Sequence, residues 1–185
     1  RQIQSHVLNA RTEIKKARKE GTVSKHWAEA KRYAITAQMI SPKSIEPQLL
    51  LAEIAIAETE LDAALKHFDA AYTIDALSRP AIDGIARVYG LKNDIPNTEI
   101  WLTKGFEAYP ADWKASLNLG RFLHRQNRLN EAEDYLQKSV SASDGKRAEA
   151  TLALTELYLD LNQPTRALLE VERQIRLKPT GYAWF

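Results

Sequence analysis

A 34-residue period organises this chain. In Ala64-Leu65-Lys66-His67-Phe68-Asp69-Ala70-Ala71, small Ala64 is followed four residues later by Phe68 and three later by Ala71. On a helix, spacings of 4 and 3 stack side chains on one face. Small residues there let a neighbouring helix approach, and the large one fills the space beside it. Stepping by 34 gives Thr98, Leu102 and Gly105, then Ala132, Leu136 and Ser139. A step of 35 reaches Ala167, Val171 and Gln174, and a step back of 34 reaches Ala30, Ala34 and Ala37. Self-similarity at this period predicts stacked helical hairpins, each too small to bury its own apolar face alone.

The residues ahead of each marker obey the same ruler. Leu51-Ala52 with Ala55, Ile85-Ala86 with Tyr89, Leu119-Gly120 with Leu123, and Leu154-Thr155 with Tyr158 occupy matching places. Units close near Pro42, Ala76, Pro110, Asp144 and Pro179. This pattern resembles the tetratricopeptide repeat (TPR): a Leu-Gly pair, a Tyr three residues on, Ala-x-x-x-Phe and a closing Pro. The matches are fullest at Leu119-Gly120 with Ala132, Tyr89 with Pro110, and Tyr158 with Ala167 and Pro179. The early Trp of the family pattern is missing, so the resemblance rests on period and small/large alternation over nearly the whole chain. It implies an all-α fold, an α-solenoid wound as a right-handed superhelix of about five helix-turn-helix units. Their approximate bounds are 1–44, 45–78, 79–112, 113–147 and 148–181, within a single domain.

Local signals place ten helices. Ile3, Val7, Ala10, Ile14 and Ala17 form an apolar stripe on a first helix over 2–19, with Arg11, Lys15, Lys16, Arg18 and Lys19 toward its end. Gly21 stops it, and Ser24 is placed to cap a helix reaching Ile40. Helices follow at about 46–58, 61–75, 79–91, 95–108, 112–126, 129–142, 147–161 and 165–177. Asn93-Asp94, Gln126-Asn127 and Asn162-Gln163-Pro164 supply the turns. Pro80 and Pro96 fall in first turns, where a missing N–H costs nothing. Short connections predict antiparallel neighbours. Gly181-Tyr182-Ala183-Trp184-Phe185 fall where a sixth unit would start, and are expected to pack back on the last helix or lead into further residues. With Arg1 and no Met at its start, the chain is expected to be part of a longer one.

Chemistry is sparse. There is no cysteine, hence no disulfide framework and no thiolate site. His6, His26, His67 and His124 stand apart, without metal-ligand spacing, and His67 is expected to be solvated. The seven glycines occur singly, so no phosphate-cradling loop forms. Neither a catalytic constellation nor a cofactor pattern is present, and no apolar run reaches the ~20 residues of a membrane helix. The sequence therefore reads as a non-enzymatic scaffold or adaptor, cytoplasmic or periplasmic. Net charge is only +2, but residues 1–43 hold ten Lys/Arg against three Asp/Glu. Such polarity steers partners without naming them.

The TPR resemblance further implies that the first helix of each unit lines a concave groove for a peptide or helix of a protein partner. Counted by the period, the groove positions are Leu49, Leu50, Glu53 and Ile56, then Asp83, Gly84, Arg87 and Leu91. Lys114, Leu117, Asn118, Arg121, His124 and Arg125 follow, and then Leu152, Glu156 and Asp160. Arg87, Lys114, Asn118, Arg121, His124 and Arg125 make a mainly basic strip beside Leu49, Leu117 and Leu152. An acidic or carboxylate-bearing segment suits it, because a guanidinium fork matches a carboxylate. The competing expectation is that these groups pair internally with Glu53, Asp83 and Glu156. The carboxylate clamp of chaperone-binding TPR proteins is matched only at Lys114 and Asn118, while Leu49, Glu53 and Gly84 depart from it. Two alternatives stand beside the scaffold reading. One is polyanion or nucleic-acid binding by the basic first helix, disfavoured because residues 1–26 hold no aromatic stacking platform. The other is an accessory domain of an enzyme whose catalytic part lies elsewhere.

Overall fold

The structure is a computed structural model and describes residues 2–21 and 24–177. Among the described residues there are ten α-helices and no strand. They are α1 (Gln2–Glu20), α2 (His26–Ile40), α3 (Ile45–Ala57), α4 (Leu61–Ile74) and α5 (Arg79–Leu91). α6 (Ile95–Ala108), α7 (Trp113–Arg125), α8 (Leu129–Ala142), α9 (Ala148–Asp160) and α10 (Pro164–Leu177) complete the order. Predicted and observed bounds agree within about a residue at each end. Tyr182, Trp184 and Phe185 lie outside the described residues.

One turn, repeated, sets the hairpins. Thr59, Asn93, Asn127 and Asn162 all adopt left-handed backbone, with φ of 62°, 57°, 59° and 57°. Each sits just past its helix, and the next residue's N–H reaches back five residues. Glu60 N donates to Ala55 O at 2.8 Å, Asp94 N to Tyr89 O at 3.0 Å, Arg128 N to Leu123 O at 3.0 Å and Gln163 N to Tyr158 O at 2.8 Å. This closure satisfies carbonyls that the helix end leaves open, and turns the chain back within three residues. Asn tolerates the left-handed region, which explains three of the four residues. At the start of α2, Ser24 Oγ accepts from His26 N at 3.2 Å, but the N-cap position falls one residue later than expected, at Lys25, which has no side-chain cap bond.

The helices group in two compact units, Arg1–Trp101 and Leu102–Phe185, with α6 running from one into the other. In the first, α1 packs on α2 and α3 on α4, and first helices also touch: α1 on α3, α3 on α5. Ala10, Ile14 and Ala17 of α1 meet Trp27, Ala30 and Ala34 of α2 and Leu50, Leu51 and Ile54 of α3. A second cluster joins Ala52 and Ala55 to Ala64 and Phe68 of α4 and Ile85 and Val88 of α5. Phe68 fills the place a Gly84 side chain would occupy: a Cβ there would lie inside the ring's van der Waals envelope. Gly84 is thus a socket and not a groove residue, and Leu50, also expected to face a groove, is buried in the core. His67, expected to be solvated, is half-buried. Its Nδ1 lies 2.8 Å from Gln48 Oε1, and burial lowers its pKa, with Lys66 and Lys31 adding to the effect.

In the second unit, α7 packs on α8, α8 on α9, α9 on α10, and α7 also touches α9. Gly120 plays the socket here: a Cβ would stand 2.8 Å from Leu136 Cγ and 3.2 Å from Leu136 N. Tyr158 ties three helices together. Its hydroxyl accepts from Gln137 of α8 at 3.1 Å and from Arg166 of α10 at 2.8 Å, while the Arg166 guanidinium lies 4.1 Å from the ring centroid and pairs with Glu133. Ala132, Leu136 and Ser139 are fully buried, as the period predicts, but Val171 and Ile175 of α10 are exposed.

Candidate functional site

The strip predicted from the period divides between the units. Lys114, Asn118, Arg121 and Arg125 step along α7 by 4, 3 and 4, which is one helix stripe. Lys114, Asn118 and Arg125 are exposed and Arg121 is half-buried. α9 lies alongside α7 and carries exposed Leu152, Glu156 and Asp160. This face of the second unit therefore has a basic edge on α7 and an acidic edge on α9, with apolar Leu152 one turn ahead of the two acids.

Its internal bonds are few. Arg121 Nη2 donates to Glu149 O at 3.4 Å, a long contact at the limit of a hydrogen bond. His124 Nε2 lies 2.7 Å from Asp160 Oδ2, which fixes the imidazole against α9. Lys114 Nζ stands 5.5 Å from the Trp113 ring centroid, and Arg147 stands 5.2 Å from it. Trp113 thus gathers two cations by the attraction of its π face, a cluster the sequence analysis passed over although positions 113 and 147 stand one 34-residue period apart. Arg125 makes no ion pair among the described residues.

Leu117 is 4% exposed and belongs to the core, so it is not available as an anchor for a partner. Leu49 is half-buried in the first unit, packed against the cluster around Phe68, whereas Leu152 is 54% exposed. Arg87 is exposed on α5 in the first unit. The internal pairings differ from those expected. Glu53 pairs with Arg18 of α1, and Asp83 with Arg79 at 3.2 Å. Among the described residues, neither acid neutralises Arg87.

No group of three or more His, Asp or Glu among the described residues could hold a metal ion. Nor is any described helix long and apolar enough to cross a membrane. What the arrangement offers is a charged and apolar surface held on a rigid helical frame.

No protein-family model matches the sequence, and no curated protein does. Among solved structures, residues 41 to the end of MamA from Desulfovibrio magneticus RS-1 superpose with a TM-score of 0.75, at 15% identity, over 98% of each chain. PilF of Pseudomonas aeruginosa gives 0.78 at 15% identity, over 98% of this chain and 78% of its own. A further MamA crystal structure gives 0.72 at 12% identity, over 95% and 91%. These neighbours are TPR-type helical solenoids, and the fold of this chain is of that type.

Proposed function

We propose that this chain is a non-catalytic protein-interaction module, and that its second unit takes a segment of a protein partner across α7 and α9. Protein–protein interaction is what TPR-type scaffolds mediate, and this supports the coarse reading. The observation that carries the finer one is the α7 stripe. Lys114, Asn118, Arg121 and Arg125 stand at one-turn spacing on the side of α7 opposite its buried Ser116, Gly120 and Leu123. Exposed cations have no role in the core, and their internal bonds are weak or absent. An acidic or carboxylate-bearing segment would meet guanidinium forks from α7 and rest an apolar residue on Leu152. Partner specificity would come from the acidic edge of α9, which repels segments acidic along both sides.

The test is charge reversal with a fold control. Affinity capture from the source cells is compared for the native chain, for Arg121→Glu and for Lys66→Glu, the last on an exposed face of α4. A partner kept by Lys66→Glu and lost by Arg121→Glu, with melting temperatures unchanged, supports the reading. Unchanged capture with a sharp loss of stability for Arg121→Glu makes the arginine a structural group and refutes it.

A further inference from the structure

In the first unit, α1 presents Arg11, Lys15 and Arg18 at spacings of 4 and 3, with Lys19 next to them. All four are exposed. They flank the stripe of Ala10, Ile14 and Ala17 that α1 buries, on the side where α1 meets α3. With Ile14 and Glu53 they line an open depression of 540 Å³.

Its charge is unbalanced. Glu53 pairs with Arg18. Arg11, Lys15 and Lys19 form no ion pair among the described residues. The other acids nearby are engaged elsewhere: Glu13 by Lys16 and His26, Glu20 by Ser24 and His26, and Glu46 by Ser44 Oγ, which donates to it at 2.6 Å, with Arg11 adding only a weaker field. Three like charges on adjacent turns repel one another, and an anion placed among them relieves that repulsion. Two features select the class of anion. No aromatic side chain lines the depression, so nucleic-acid bases have nothing to stack on. Glu53 sets one negative point into the wall. A peptide can space its acids around that point, whereas a phosphate backbone carries a charge at every residue.

We propose that this depression is a second docking surface, which takes an Asp/Glu-rich segment of a protein partner. Two or more of its carboxylates meet Arg11, Lys15 and Lys19. The inference rests on the reading of the chain as a protein-interaction module, but not on the α7 stripe, which lies in the other unit.

The experiment uses the full chain and a fluorescein-labelled peptide of alternating Glu-Glu-Leu triplets, followed by anisotropy at 50 and 150 mM NaCl. Saturable binding is expected, weaker at the higher salt. Arg11→Gln/Lys15→Gln/Lys19→Gln should weaken it about tenfold, as expected for three modest surface contacts, with the melting temperature retained. Glu53→Gln, which releases Arg18, should tighten it about threefold. Each titration is repeated on the Arg121→Glu background, which removes the share of the α7 stripe, so loss of capture in the preceding experiment and loss of this peptide at α1 are separable results. The proposal is overturned if the peptide fails to saturate, or if the triple variant binds as the native chain does. It is equally overturned if single-stranded oligouridine of matched charge binds more tightly than the peptide and loses that binding in the triple variant.

Discussion

Gly84 and Gly90 lie on the same helix, α5, and the same substitution should move stability in opposite directions. Replacing either glycine by alanine removes backbone freedom from the unfolded chain, a gain of about 0.5–1 kcal/mol in a helix interior. At Gly90 the new Cβ would stand 3.9 Å from Thr98 Cγ2 and 4.0 Å from its Oγ1, which is ordinary contact. Gly90→Ala should therefore stabilise by roughly 0.5 kcal/mol, raising the melting temperature by about 1–2 °C. At Gly84 the Cβ enters the space of the Phe68 ring, and that ring is only 6% exposed. Yielding requires a shift of α4 against α5, an overpacking cost of about 1–3 kcal/mol that outweighs the helix gain. Gly84→Ala should lose about 1–2 kcal/mol net, a fall of about 2–8 °C.

Urea unfolding followed by circular dichroism, with matched thermal melts, measures both. Adding Phe68→Leu to Gly84→Ala should cost less than the sum of the single changes, because the smaller side chain clears the new methyl. If Gly84→Ala is as stable as the native chain, or if Gly90→Ala loses as much as Gly84→Ala, the knob-and-socket account of the α4–α5 junction is wrong.

Two other predictions follow from single residues. At the left-handed turn positions, Thr59→Asn should stabilise by about 0.5–1 kcal/mol, because a β-branched residue is strained there. Asn127→Ala should cost about 1 kcal/mol and Asn127→Gly close to nothing, read from urea midpoints. His67 gives a pH signature. Burial lowers its pKa in the folded chain, so the unfolded chain takes up the proton more readily. The corresponding stability is fully present above the ordinary histidine value of about 6.5 and is lost as pH falls through the window below it. An NMR titration should find the His67 midpoint below 6.5, and His67→Gln should flatten the dependence of the melting temperature between pH 5 and 7. A midpoint at or above 6.5 contradicts the burial argument.

The fold was legible because it is translational. A period of 34 placed Ala64, Phe68, Ala71, Ala132, Leu136 and Ser139 on packing faces, and all six are buried. Asn93, Asn127 and Asn162 announced their turns by composition, whereas Thr59 did not, and only the backbone reveals that it occupies the same place. Gly84 misled because a glycine shows no preference for either face. Only the position of Phe68 across the junction assigns it to the packing side.

The candidate site was less legible, and the reason lies in the array itself. Leu49, Asp83, Leu117 and Leu152 occupy one repeat position, at steps of 34, 34 and 35. Their burial nevertheless differs: Leu49 and Asp83 are half-buried, Leu117 is 4% exposed and Leu152 is 54% exposed. The period fixes which way a side chain points, but a neighbouring hairpin decides whether it is covered. α7 has α9 beside it, whereas among the described residues no further first helix flanks α9. The same argument separates Leu136 and Val140 of α8 from their counterparts Val171 and Ile175 of α10, buried in one hairpin and open in the next. Exposure of an apolar residue in the last hairpin is thus a property of its place in the array, and is not by itself the mark of a partner site. The charged stripes on α1 and α7 are different. Each has a packed first helix alongside, α3 and α9, and each still leaves cations without an acid among the described residues. Covering does not account for them, and this is why the binding assays are aimed there.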